Sequence, residues 1–230
     1  MAIWRVLTWN LHGSADPNLV LVADVIVGYA PDAVALQEVR RSQARSLAKR
    51  LGWHHVWARK HHPYSPFVWW RTEGLAIVSP VPLSHVLRTS ITPGVSTWTY
   101  RHRILLAATV TRGHDAIRLY DTHLASDSPD DRIAQARRVA DQVGADNAAA
   151  PVVAGDLNAP GEVEVIREFA TVGLRDPGGE HTNPSISPSQ RLDFVLIART
   201  ARVVDEHTPH GAQSWHELSD HLPVMLEFEL

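Results

Sequence analysis

Pro151-Val152-Val153-Ala154-Gly155-Asp156-Leu157-Asn158-Ala159-Pro160 is the stretch whose reading decides the fold of this chain. Val152 to Ala154 is a short apolar run of the kind that forms a buried strand. Gly155 frees the backbone for a sharp exit, and Pro160 stops any continuation. A buried strand therefore delivers a carboxylate, Asp156, and an amide, Asn158, at its end. In open α/β sheets ligand chemistry collects beyond the carboxyl ends of strands. Taken alone, the same residues also describe an ordinary Asx turn before a proline. The rest of the chain separates the two readings, because it repeats the arrangement.

Working outward, Ile3 to Trp9 is a strand ending at Asn10, and Asp16-Pro17 caps a helix carrying Leu19, Val20, Ala23, Ile26 and Val27. Ala33 to Leu36 is a second buried strand, ending at Gln37-Glu38-Val39. A helix from about Ser42 to Leu51 closes on Gly52. Glu73 to Ser79 and Ile104 to Thr111 are strands. A turn at Gly113-His114-Asp115 leads into Ile117 to Tyr120, which ends at Asp121-Thr122-His123. Helices are expected at Asp130 to Ala145 and near Glu162 to Val172, with a Pro/Gly/Ser-rich loop from Asp176 to Gln190. Arg191 to Ile197, Ala201 to Val204 and Val224 to Leu230 complete the strands. Early alternation of strands and helices, followed by hairpin-like pairs, indicates α/β layers with mixed sheets.

The chain has 230 residues, 44% of them hydrophobic, and a net charge of -3, with no linker-like tract or repeat. One domain, 1–230, is expected. It contains no cysteine, which excludes disulfides and thiolate metal sites. Residues 1–7 carry no signal-peptide pattern, and no apolar run is long enough to span a bilayer, so a monomeric cytoplasmic protein is the expectation. The near-neutral charge neither announces nor excludes a nucleic-acid binder.

Six strand ends carry hard-oxygen or imidazole groups: Asn10, Glu38, His123, Asp156 with Asn158, Asp193, and Asp220 with His221. Polar groups beside or inside apolar runs must be paired or used. Oxygen donors without a Cys cluster point to a hard cation such as Mg²⁺. The 14 histidines bring zinc into consideration, yet no H-E-x-x-H spacing occurs. An acidic metal site with Asn and His donors suits phosphoryl chemistry.

In order along the chain stand T-W-N-L-H-G (8–13), L-Q-E-V (36–39), E-G-L-A-I-V-S (73–79), D-T-H-L (121–124), G-D-L-N (155–158), R-L-D-F-V (191–195) and S-D-H-L-P (219–223). This series resembles the endonuclease/exonuclease/phosphatase superfamily, and spans nearly the whole chain. The resemblance implies a four-layered α/β sandwich, DNase I-like, with two mixed sheets flanked by helices. It also implies a Mg²⁺-dependent phosphodiesterase, Mn²⁺ able to substitute, acting as an endonuclease or exonuclease on DNA. A phosphatase for a lipid head group, inositol phosphate or other small phosphoester is the alternative. By the same resemblance Glu38 is the principal metal ligand, with Asn10 and Asp220 supporting it. Asp156 orients or deprotonates the attacking water, and Asn158 donates to the scissile phosphate. His221 contacts the phosphate or moves a proton, oriented by Asp193, while His123 is a second histidine with Glu73 as its partner carboxylate. His12 and His123 depart from the pattern of abasic-site enzymes, which points away from that branch.

Trp4, Trp9, Leu36, Val153 and Phe194 are assigned to the core. Trp53 to Arg71 interleaves aromatics with cations and His, and prolines at 63 and 66 suggest a loop or loosely paired strands. It is readable as a substrate platform or as a loop clamped by its own tryptophans. Arg101, His102 and Arg103 are either phosphate contacts or a solvated edge, and Arg132, Arg137 and Arg138 are assigned to a solvated helix face.

Overall fold

A computed structural model describes residues 2–62, 66–148 and 150–230. In chain order the elements are β1 (Ile3–Asn10), α1 (Leu19–Tyr29), β2 (Ala33–Arg40), α2 (Arg41–Leu51), β3 (His54–Arg59), β4 (Glu73–Ser79), β5 (Leu83–Ser90) and β6 (Ile104–Arg112). They continue with β7 (Asp115–His123), α3 (Pro129–Asp146), β8 (Pro151–Asp156), α4 (Val163–Ala170), β9 (Leu174–Arg175), β10 (Asp193–Ala198), β11 (Arg202–His207), α5 (Gln213–His216) and β12 (Val224–Glu229). Two mixed six-stranded sheets result, ordered β11-β12-β1-β2-β4-β3 and β5-β6-β7-β8-β10-β9.

The layering follows from strand periodicity. Successive side chains point to opposite faces. Trp4 and Val6 of β1, and Ala33 and Ala35 of β2, meet Val152 and Ala154 of β8 between the sheets. Leu7, Trp9, Val34 and Leu36 point the other way and bury against α1 and α2. On the second sheet Val153, Phe194 and Leu196 pack on α3 and α4. The central strands are apolar on both faces because both faces are covered. The four-layered sandwich expected from the sequence is the one observed.

Several local expectations change. Gly155 is not an exit: β8 runs through it to Asp156, and Gly155 pairs with Thr122 of the parallel β7. Its φ is 147°, and a Cβ there would lie 1.9 Å from the Thr122 carbonyl oxygen. Gly155→Ala should therefore destabilise the protein by about 3 kcal/mol or more. A denaturation midpoint equal to wild type would contradict this packing.

Asp16 does not cap α1. Asn18 does, its Oδ1 accepting from Val20 N–H at 3.0 Å, while Asp16 sits in the left-handed region and accepts from Arg40. Within Trp53 to Arg71, residues 54–59 form a regular strand on β4; residues 63–65, Pro63 among them, lie outside the described residues. β5 was not among the strands expected, because its side chains alternate on an exposed edge and lack an apolar run. Arg132 is buried and ion-paired with Glu162, so only Arg137 and Arg138 of that trio are exposed. His102 and Arg103 are likewise buried, which removes the solvated-edge reading for both.

Candidate active site

The strand registers bring the expected residues to one end of the sandwich. On the first sheet Asn10 pairs with Gln37, and Arg40 with Glu73. Between them the β2 ladder shifts register, and Glu38 sits in that bulge at φ 53°. A bulge re-aims a side chain at a sheet end, here at a left-handed non-glycine residue held by its surroundings. On the second sheet Asp156 pairs with His123 on one side and Asp193 on the other. The 219–221 segment arrives just before β12.

Asp156 is the hub. It is 1% exposed. Its Oδ2 accepts from Asn10 Nδ2 at 3.0 Å and its Oδ1 from Asn158 N–H at 2.9 Å. His123 Nε2 lies 3.5 Å, and His221 Nε2 4.0 Å, from the same Oδ2. Asn158, at φ 50°, donates through Nδ2 to the Leu124 carbonyl at 3.2 Å and keeps a second amide proton. His221 Nδ1 donates to Asp193 Oδ2 at 2.8 Å, which turns Nε2 toward Asp156. Burial, and then the Asp193 charge, push the Asp156 carboxyl up to about 7. Burial alone would lower the His221 pKa, but Asp193, Asp156 and Asp220 outweigh it and raise it to about 10. Burial holds His123 well below its ordinary value, helped by the Arg103, Lys60 and His221 charges, so its ring is neutral.

The His221 shift carries a stability prediction for metal-free protein. With the folded pKa above the ordinary 6.5, the native state retains a proton that the unfolded chain releases. The stabilisation is complete below pH 6.5 and lost as pH rises to about 10. The stability gap between wild type and His221→Gln should shrink across that window. A gap constant with pH would remove the ion pair from the account.

The remaining expected residues are arranged more loosely. Glu38 Oε1 stands 3.8 Å from His123 Nδ1, and among the described residues no hydrogen bond reaches its carboxylate. Asp220 Oδ1 is 3.3 Å from His12 Nδ1. Asn10 Oδ1 accepts from His12 N–H at 3.1 Å. Glu73 is next to Glu38; burial first, and then the Glu38 charge, raise its pKa. Its Oε1 is buried without a partner, and no ion pair to His123 forms among the described residues. His123 is instead flanked by Glu38 and Asp156.

A metal fits the donor chemistry here. Glu38, Asn10 and Asp220 supply oxygen atoms of the kind Mg²⁺ takes. Asp156, Asp193 and His221 form a tighter trio, with ligand atoms within 4.8 Å of one another. In the trio Asp193 already accepts from His221, whereas the Glu38 carboxylate of the first set has no hydrogen bond among the described residues.

Several residues escaped the sequence reading. Gln37 Nε2 donates to buried Asp121 Oδ1 at 2.7 Å and to Thr8, joining the sheets beneath the site. Burial pushes the Asp121 carboxyl well above its usual range. Both residues lie inside the motifs L-Q-E-V and D-T-H-L, which was the available signal. Thr182 Oγ1 accepts from the N–H groups of Leu192 and Asp193, and Ser185 N–H donates to the Asp220 carbonyl at 2.7 Å. The loop read only as Pro/Gly/Ser-rich thus braces Asp193 and Asp220. Lys60 and Arg103, both covered by the sequence reading, stand close enough to feel the Glu38 and Asp156 charges.

A model of the endonuclease/exonuclease/phosphatase family matches residues 7–221. The chain belongs to this family. Its members are phosphoester hydrolases. No curated protein matches the sequence. Among solved structures, an endonuclease/exonuclease/phosphatase from Beutenbergia cavernae is 23% identical with a TM-score of 0.79, over 100% of this chain and 72% of that one. The family protein of Bacteroides vulgatus is 16% identical at a TM-score of 0.84, over 100% of both chains. A Bacteroides thetaiotaomicron mannosyl-6-phosphatase is 16% identical at 0.78, over 99% of this chain and 100% of that one. These likenesses establish the fold of the family member described here. No helix among the described residues is long and apolar enough to cross a membrane.

Proposed function

We propose that residues 1–230 form one catalytic domain, a Mg²⁺-dependent phosphoester hydrolase in which Mn²⁺ can substitute, acting as a monomer in the cytoplasm. The observation that carries this reading is the array Asp193–His221–Asp156, in which an imidazolium bound to one buried carboxylate faces a second. Burial raises the Asp156 carboxyl toward neutrality, where a carboxylate serves as a base, while Asp193 keeps the imidazole protonated. Asp156, poised near neutrality, takes a proton from water as its oxygen attacks phosphorus in line with the ester oxygen. The P–O ester bond breaks, and the departing oxygen is protonated from solvent. His221, held protonated by Asp193, and the free amide proton of Asn158 stabilise charge on the phosphoryl oxygens. Neutral His123 donates or accepts between Glu38 and Asp156. Glu38, Asn10 and Asp220 hold the metal, which supplies charge neutralisation for the phosphoryl group.

A small phosphoester fits the site better than the DNA expected first from the motifs. Exposed Arg101, Arg112, Arg137 and Arg202 are each engaged by an acidic side chain. The exposed basic run Arg41, Arg45 and Lys49 lies on the outer helix α2. A duplex binder ordinarily presents a broad exposed basic face, whereas the cations nearest the catalytic groups, Lys60 and Arg103, are half-buried and buried. The mannosyl-6-phosphatase among the fold relatives acts on such a small ester, by its name.

The test is Mg²⁺-dependent release of product from p-nitrophenyl phosphate and its bis-ester, set beside nicking of supercoiled plasmid. Asp156→Asn serves as the blank. We expect ester turnover and intact plasmid; nicking lost in the blank would restore DNA as the substrate.

A further inference from the structure

Two cations near the catalytic groups form no close ion pair among the described residues, although the Glu38 and Asp156 charges act on both at longer range. Arg103 is 4% exposed and immediately precedes β6. Pairing of Leu105 with Thr122 runs β6 antiparallel to β7, so Arg103 lies beside the end of β7 that carries His123. Lys60, half-buried, follows β3, and its N–H donates to the Glu73 carbonyl at 3.1 Å, beside the bulge of Glu38. Among the described residues neither cation forms an ion pair. The one side-chain hydrogen bond of Arg103 is a long one, Nη1 to the Tyr100 carbonyl at 3.4 Å, and its Nε is buried with no partner. A buried guanidinium left this way is strongly unfavourable unless an anion completes it.

The two segments that carry these cations are joined. His62 N–H donates to the Thr97 carbonyl at 2.6 Å, and the His62 ring stacks on Trp98 with centroids 4.6 Å apart. His102 Nδ1 donates to the Lys60 carbonyl while its Nε2 accepts from Ser90. Residues 60–62 and the β5–β6 segment that carry the two cations are thereby tied together.

We propose that Lys60 and Arg103 bind the unesterified oxygens of a terminal phosphate, so that the substrates are phosphomonoesters. This rests on the hydrolase reading above. A monoester offers two negative charges and three unesterified oxygens to the cation pair. A diester offers one charge and two unesterified oxygens. Charge and the number of free oxygens select in the same direction. The expectation of a phosphodiesterase gives way to that of a phosphomonoesterase.

The test compares p-nitrophenyl phosphate with bis(p-nitrophenyl) phosphate, which share a leaving group, in wild type and Lys60→Gln. Wild type should favour the monoester in kcat/KM. Lys60→Gln should cost the monoester roughly 30-fold, the scale of one charge-assisted hydrogen bond, and the diester under about threefold. Calorimetry with inorganic phosphate and metal-free protein supplies a readout without turnover. Its affinity should fall about tenfold or more in Lys60→Gln and in Arg103→Met, if circular dichroism shows the latter folded. Equal losses on both esters, a wild-type preference for the diester, or unchanged phosphate affinity would each overturn the anion site. Absence of any Asp156-dependent hydrolysis would sink the hydrolase reading instead, and the phosphate calorimetry would still decide the anion site. Asp156-dependent hydrolysis with an unmoved ester ratio would remove the anion site alone.

Discussion

Asp156→Asn is expected to lower kcat/KM by about 10⁴-fold on any ester the protein hydrolyses, and to leave the fold intact or more stable. The substitution keeps the shape and an acceptor for Asn158 N–H but removes the base. It also removes a buried carboxylate whose pKa is raised to about 7 by burial and by Asp193. A group made uncomfortable in this way destabilises the metal-free protein when ionised, so its neutral isostere should unfold no earlier than wild type. Kinetics and a thermal melt on the same preparation check both halves. Turnover within tenfold of wild type would end the role of Asp156; a much lower melting temperature would mean that the lost activity is lost structure.

Glu38→Gln should raise the Mg²⁺ concentration for half-maximal activity by roughly 10- to 100-fold. Gln is the appropriate change because Glu38 sits at φ 53° in the β2 bulge, where a shift of backbone would confuse the result. Gln keeps the size and an amide oxygen but loses the charge that a hard cation needs. Titrating Mg²⁺ against both activity and melting temperature separates metal affinity from catalysis. An unchanged Mg²⁺ requirement would exclude Glu38 as a metal ligand.

How far the sequence reached depends on the kind of signal. Buried strands with both faces covered, such as Ala33 to Leu36 and Val152 to Ala154, announce themselves by continuous apolar runs. The polar residues at their ends stand out by contrast, which is why Asp156, His123 and Asp193 were legible and are found paired in register. Edge strands carry no such contrast, so β5 with its alternating exposed residues went unread. Gly155 was read through torsional freedom, which its φ of 147° uses, but its second constraint, the approach of Thr122 33 residues away in the chain, is encoded in no local pattern. Arg103 and Lys60 were legible only as alternatives, a phosphate contact or a solvated edge for the first and a substrate platform or a clamped loop for the second. A cation beside aromatics and other cations fits either, and only the tertiary pairing of two segments buries Arg103. Bracing groups such as Thr182 belong to a loop whose composition signals turns and nothing more.

The placement of β12 between β1 and β11 has a consequence for how activity returns after denaturation. Ile3 is paired with Glu229, and Trp9 Nε1 donates to the His221 carbonyl at 2.9 Å, so strands from opposite ends of the sequence must meet before the imidazole reaches Asp156. Such closures are entropically late events. During refolding, helical signal and compaction should therefore precede catalysis by a resolvable lag, and a half-folded chain is an inert one. The protein can expose its phosphate chemistry only after its longest-range contact is in place.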